Sequence, residues 1–256
     1  MTFSRGRGGS PAAVCAVCWI ALCAAEPARA QTPVDTALVL AADSSGSIDE
    51  AEFLLQRDGI AAALTSPRVL SAITGGALGR IAVAYVEWGS PARAETVVGW
   101  HLVGDRGSAE ALAAAIVAAP RSRQSYNAIG DAIDHAAGLF ATCGCEATRR
   151  VIDISGDNAD MRSVRPAPAA RDAAVAAGIT VNALAVLEDD RPGPGGRPWL
   201  VEYYERAVIG GAGAFVMTAR DRADFTRALL DKMVLEIAGR PLPDGSLAAA
   251  RGPSSR

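Results

Sequence analysis

Along most of the chain, short apolar runs alternate with stretches in which apolar residues recur at helical spacing. The run Thr36-Ala37-Leu38-Val39-Leu40-Ala41-Ala42 stops abruptly at Asp43-Ser44-Ser45-Gly46-Ser47, the pattern of a buried strand closed by a polar turn. Runs at 80–87, 150–154, 180–186 and 215–218 predict further strands. Residues 95–103 alternate more regularly, and the short link around Pro91 makes them an antiparallel hairpin partner of 80–87. Between the strands, Phe53, Leu54, Ile60 and Leu64 share a helical period behind Ser47-Ile48-Asp49-Glu50, which reads as a capping box with Ser47 at N-cap. Residues 65–79 read as a connection, and Ser108 as the cap of an Ala-rich helix ending before Pro120. A helix opening at Asn127 turns Ile129, Ile133, Ala137 and Phe140 inward. Helices follow at 167–177, 199–208 and 222–237, the last carrying Phe225, Leu229, Met233 and Ile237 on one face.

Strands alternating with helices predict an α/β fold. The expectation is a doubly wound, mostly parallel six-stranded sheet with one antiparallel edge strand and helices on both faces. A chain of 256 residues, 50% hydrophobic and 21% charged, fits one such domain plus tails. Arg5 and Arg7 precede an apolar stretch from Ala12 to Ala25, and Ala28-Arg29-Ala30 follows. That is a secretion signal cleaved after Ala30. The stretch is short for a bilayer span and none of spanning length follows. The expected location is therefore secreted or periplasmic, without a stable membrane span after cleavage. Cys23 as a lipid anchor is disfavoured by the bulky Leu22 before it. The domain is expected over 34–238, a mobile loop over 189–198, and a disordered tail over 239–256, rich in Gly, Pro, Ser and Ala.

Charge and cysteine content narrow the function classes. Acids outnumber bases 28 to 25, and Lys232 is the only lysine, so there is no basic footprint for nucleic acid. After signal removal Cys143 and Cys145 remain of five cysteines. In an oxidising compartment they can close a tiny-loop disulfide or bridge two molecules. Without neighbouring His they make a poor zinc site.

In an open sheet ordered 3-2-1-4-5-6, the tips of the first and fourth strands adjoin where the winding reverses, the usual place for a ligand. One tip carries Asp43, Ser45 and Ser47; the other ends in Ser155-Gly156-Asp157-Asn158. The polar loop Arg121-Ser122-Arg123-Gln124-Ser125-Tyr126 leads into Asn127 beside them. Carboxylate, hydroxyl and amide oxygens converging from three segments suit a hard cation such as Mg²⁺. The plainer alternative makes Asp43 a turn former and Ser47 and Asn127 helix caps, with no ion.

These residues resemble the metal-ion-dependent adhesion site of von Willebrand factor type A domains. The stretches Val151-Ile152-Asp153-Ile154-Ser155-Gly156-Asp157, Tyr85-Val86-Glu87-Trp88 and Ala128-Ile129-Gly130-Asp131-Ala132-Ile133 further resemble a bacterial group of unknown function, DUF1194. The resemblance implies that Ser45 and Ser47 coordinate Mg²⁺, with Mn²⁺ or Ca²⁺ as substitutes, while Asp43 and Asp157 ligate it or hold its waters. Asn127 stands where that pattern has a Thr, and Ser125 is a possible replacement ligand. The implied function is docking: a protein partner presenting Asp or Glu completes the ion's coordination. Ser125, Tyr126 and Asn158, with Arg121, Arg123 and Gln124, would form the rim that shapes this partner.

Two other readings compete. One is a binding module whose ion site is degenerate. The other is a phosphatase like the haloacid dehalogenases, since Gly156-Asp157-Asn158-Ala159-Asp160 imitates their G-D-x-x-D motif. Position 45 is Ser where that chemistry needs a second Asp, and no lysine lies between the motifs. Asp131 and His135, four apart, could pair, but no nucleophile motif accompanies them or His101. The chain reads as a non-enzyme. Asp153, inside a buried strand, requires partners, and Trp88 reads as packing.

Overall fold

The computed structural model describes residues 1–2, 31–187, 191–220 and 222–239. The chain divides into two units, 1–30 and 31–256, and the second carries the sheet and its helices. The expected leader beyond Thr2, residues 189 and 190 of the expected loop, and the tail beyond Gly239 lie outside the described residues.

In chain order the elements are β1 (Thr32–Asp43), α1 (Glu50–Thr65), α2 (Pro67–Thr74), β2 (Ile81–Trp88), β3 (Glu95–Val103), α3 (Arg106–Ala118), α4 (Ile129–Leu139), β4 (Cys145–Gly156), α5 (Ala167–Ala176), β5 (Ile179–Val186), α6 (Trp199–Ala207), β6 (Val216–Ala219) and α7 (Arg222–Ala238). The sheet order is β3-β2-β1-β4-β5-β6. Every pairing is parallel except β2 with β3, as the hydrophobic pattern predicts.

Alternation along β1 divides the core. Leu38, Leu40 and Ala42 face one layer, where Ile60 and Leu64 of α1, Leu112 and Ile116 of α3 and Phe225, Leu229 and Met233 of α7 close over them. Val39 and Ala41 face the other, against Ile129 and Ile133 of α4, Ala170 of α5 and Leu200 and Tyr204 of α6. With both faces covered, the central strands need no polar side.

Several local expectations are corrected. Asp49, not Ser47, caps α1: its Oδ1 accepts from Glu52 N at 2.8 Å while Glu52 Oε2 accepts from Asp49 N at 3.0 Å. Leu54 faces outward. Asp105, not Ser108, caps α3, and Ser108 sits three residues in as the reciprocal partner. The connection 65–79 contains α2, because Ser66 accepts from Val69 N and Pro67 occupies its first turn, a placement that starts helices. Its buried Val69 and Ile73 hold it to the core. The described part of the expected mobile loop carries hydrogen bonds of its own. Gly193 N donates to Arg197 O, and the Glu202 carboxylate accepts from Gly195 N and Arg197 N.

Candidate functional site

The site is built on the carboxyl ends of β1, β2 and β4. Asp43 stands level with Trp88 of β2, and Ala42 before it with Ser155 of β4. Past Asp43 the chain leaves the sheet, so its N–H groups need new partners. Ser44 N donates to Trp88 O at 2.9 Å and Ser45 N to Asp43 Oδ1 at 2.7 Å, an Asx-type turn. Gln56 of α1 donates Nε2 to Asp43 O at 2.8 Å, and Gly46 N reaches Ser125 O at 3.3 Å. The turn brings Ser45 Oγ and Ser47 Oγ to 3.1 Å, and Ser47 Oγ donates to Asp157 Oδ2 at 2.8 Å. Asp43, Ser45, Ser47 and Asp157 therefore form one cluster.

Asn127 enters from the third segment. It is buried, with its carbonyl accepting from Met161 N at 2.7 Å and Ala128 N donating to Gly89 O at 2.9 Å. Its side chain does not cap α4: the N-cap is Ala128, with no side-chain bond. Nor does it hydrogen-bond the other four residues. Asn127 Oδ1, Asp43 Oδ2 and Asp157 Oδ1 are all buried and receive no hydrogen bond from the N–H and O–H donors of the described residues. Each comes from a different segment of the convergence. Buried oxygens left unsatisfied cost about 1–3 kcal/mol apiece, and native interiors keep few of them. Burial, and next the charge of Asp157, push the Asp43 carboxyl well above the usual carboxylate range. The same two acids, after burial, push the Tyr204 phenol upward. A divalent cation would relieve both the repulsion and the missing bonds, and an all-oxygen donor set with two carboxylates fits a hard one. Among the described residues no three His, Cys, Asp or Glu side chains group as an alternative metal site.

The rim residues divide. Tyr126 is exposed, with the Arg162 guanidinium 4.7 Å from its ring centre. Ser125 gives its carbonyl to Gly46, and Asn158 turns its Oδ1 to Ala159 N while its carbonyl accepts from Tyr204. Arg121 and Gln124 hold the loop together. The first donates to Ile48 O at 2.7 Å and lies over the Phe53 ring; the second accepts from Ser90 N and donates to Arg93 O.

Beneath the loop is a residue that sequence reasoning misses. Glu87, fully buried at the end of β2, accepts from Ser122 N at 2.7 Å and pairs with Arg57 at 3.5 Å. Its sequence signals are an acid in an otherwise apolar run and its place in the Tyr85–Trp88 stretch. Trp88 packs as expected and donates Nε1 to Ala41 O. Asp160 is occupied by Gly130 N, Ala167 N and the Ser163 hydroxyl, so the G-D-x-x-D likeness resolves into loop scaffolding. Asp131 does not pair with His135; it accepts from Ala92 N and Val164 N, and His135 Nε2 lies 2.8 Å from Thr96 Oγ1. Cys143 and Cys145 form an intrachain disulfide. It sits at the opposite end of the sheet, where Cys145 pairs with Thr32.

Comparison with known proteins bears on the whole of this arrangement. A family described as "Protein of unknown function (DUF1194)" matches residues 33–241. No curated protein matches. Among solved structures, proximal thread matrix protein 1 from the mussel byssus superposes with a TM-score of 0.60 at 14% identity, covering 81% of this chain and 49% of that one. Another structure of that protein is described as having a zinc-occupied MIDAS motif. A von Willebrand factor type A protein from Catenulispora acidiphila gives 0.55 at 18% identity, covering 80% and 43%. The von Willebrand factor domain of a type V pili tip protein from Porphyromonas gingivalis gives 0.52 at 11%, covering 87% and 98%. The chain thus spans about half or less of the first two, and at these identities the likeness establishes the fold alone, which is like that of von Willebrand factor type A domains.

Proposed function

The chain belongs to the DUF1194 family, and from that premise we propose that it is a binding module, not an enzyme, that docks an acidic side chain of a partner protein through a divalent cation. Asp43, Ser45, Ser47, Asn127 and Asp157 would hold the ion, Mg²⁺ first. The observation carrying this reading is the set of three buried oxygens, Asp43 Oδ2, Asn127 Oδ1 and Asp157 Oδ1, that lack partners on three converging segments. When bound, the ion supplies an electrophilic position for an outside carboxylate. Ser45 and Ser47 contribute no charge, which keeps that position attractive to an anion. Arg121, Gln124 and Glu87 hold the surrounding loops in place.

The Cys143–Cys145 disulfide supports a secreted or periplasmic location, with 1–30 as the leader and 34–238 as the working domain. A second reading, binding without metal, draws on the Ser47–Asp157 hydrogen bond, which closes part of the site unaided, and on Asn127 in place of Thr. Calorimetric titration of Mg²⁺ and Mn²⁺ into wild type and Asp157→Ala separates the two. Heat and thermal stabilisation in wild type alone support the ion site; their absence from wild type overturns it in favour of the second reading.

A further inference from the structure

Eight large apolar side chains are exposed among the described residues, and three of them, Tyr126, Met161 and Val164, lie on the two loops that meet at Asn127. They are 40%, 46% and 76% exposed. The others, such as Leu54, Leu102 and Val117, are on separate elements, and scattered apolar residues of that kind need no explanation. The grouping at Asn127 does.

Its backbone is held firmly from below. Met161 N donates to Asn127 O at 2.7 Å, and Val164 N to Asp131 Oδ1 at 2.9 Å. Between them Arg162 adopts φ +64°, a left-handed conformation rare outside glycine and asparagine, and its guanidinium stacks on Tyr126 at 4.7 Å. A surface fixed before binding loses little entropy when a partner arrives. Around it Arg93, Arg123 and Arg162 are exposed and make no ion pair among the described residues. A chain with net charge −3 therefore presents unpaired positive charge beside the buried Asp43 and Asp157 carboxylates of the proposed ion site.

We infer that the Tyr126–Met161–Val164 surface is a specificity platform, and that the partner is a protein segment in which the docking Asp or Glu is adjoined by a large aliphatic or aromatic residue, with further acid nearby. The inference rests on the proposed ion site and adds the chemistry of what sits beside it. Charge complementarity with the unpaired arginines selects an acidic segment; the exposed apolar strip selects its hydrophobic neighbour.

Two measurements keep the two claims apart. Mg²⁺ titration into the full chain tests the ion site by itself. The platform is tested with an array of synthetic peptides, each with a central Glu in a Gly-Ser background and Leu, Phe, Ser, Glu or Arg placed in turn at each flanking position, probed in millimolar MgCl₂ and in EDTA. The expected result is Mg²⁺-dependent binding that is roughly tenfold stronger with Leu or Phe beside the Glu than with Ser, the weight of one buried apolar side chain. The double variant Met161→Ser/Val164→Ser should flatten that preference while the need for Glu persists. Mg²⁺ heat together with no apolar preference, or no peptide bound at all, overturns the platform and leaves the ion site standing. An apolar preference unchanged in the double variant also overturns it. No Mg²⁺ heat overturns both.

Discussion

Lys232 Nζ lies 2.5 Å from Asp153 Oδ1, with the lysine side chain wholly removed from solvent. The chain's only lysine thus joins α7 to the middle of β4. Glu236 Oε1 is also 2.5 Å from Nζ and accepts from Asn182 Nδ2 of β5 at 3.0 Å. One cation faces two carboxyl groups in a dry interior, and removing Lys232 leaves buried negative charge without its counter-ion. Breaking a buried pair in this way costs about 3–5 kcal/mol. Lys232→Met is expected to lose about that much in urea denaturation. Replacing Lys232, Asp153 and Glu236 together with apolar residues should recover most of it, since the desolvation of these polar groups is then relieved.

The same cluster sets a pH dependence. Burial, and next the charge of Asp153, push the Glu236 carboxyl up to about 8 against 4.5 for an ordinary glutamate. The folded state then holds a proton that the unfolded chain releases. Its contribution is complete below 4.5 and is lost as pH rises toward 8. Stability should therefore fall through that window, by at most about 1.4 kcal/mol per pH unit for one proton. The raised Asp43 carboxyl acts with the same sign, so the informative quantity is the difference between wild type and Glu236→Gln. The variant's denaturation midpoint should decline less steeply; equal slopes would remove Glu236 as the source.

At the proposed ion site, stability without ion and capacity for ion are opposed. Asp157 raises the Asp43 carboxyl through like charge, while its Oδ2 accepts from Ser47. An amide at 157 keeps an acceptor and removes the charge. Asp157→Asn is expected to melt at or above the wild-type temperature in EDTA and to lose the upward shift that MgCl₂ gives wild type. A variant that melts lower in EDTA and still responds to Mg²⁺ would contradict the assignment.

How far the fold and the site are legible in the sequence depends on the range of each interaction. Strand order is legible because apolar runs such as 36–42 are local and a parallel sheet needs both faces buried. The Asp43-x-Ser45-x-Ser47 turn and Asp157 are legible because strand order fixes which tips meet. The pattern misplaces the cap of α1 by two residues because Ser47 is drawn to Asp157, 110 positions away. That leaves Asp49 to start the helix. No local pattern reports such a competition. Glu87 and Asp153 look alike in the sequence, acids in apolar strands. Their partners, Ser122 N and Lys232, appear only once distant segments are packed. Helix α2 is hidden because Pro67 reads as the end of α1, and proline equally opens a helix.

The site depends on one further close approach, between the loop after β1 and the loop before α4. Gly89 lies between them. A Cβ there would fall 2.8 Å from both Gln124 Cβ and Tyr126 O and 3.1 Å from Ser45 Cα. Two of those contacts are with backbone and cannot rotate away. The added methyl must push Ser45 from Tyr126, and with it the turn carrying Ser45 and Ser47 from the segment carrying Asn127. Overpacking of this kind costs about 1–3 kcal/mol, enough to leave a folded protein. The geometric loss falls on the proposed ion site, whose ligands would come from both sides of the displaced gap. Gly89→Ala should therefore weaken Mg²⁺ binding by roughly tenfold or more, one factor of ten for each 1.4 kcal/mol of lost interaction. Gly99→Ala is the matched control, because a Cβ there meets nothing within 4 Å. Its Mg²⁺ affinity and melting temperature should stay at wild-type values. Equal Mg²⁺ affinity in Gly89→Ala and wild type would show that the ion, if bound, does not need the two loops in register.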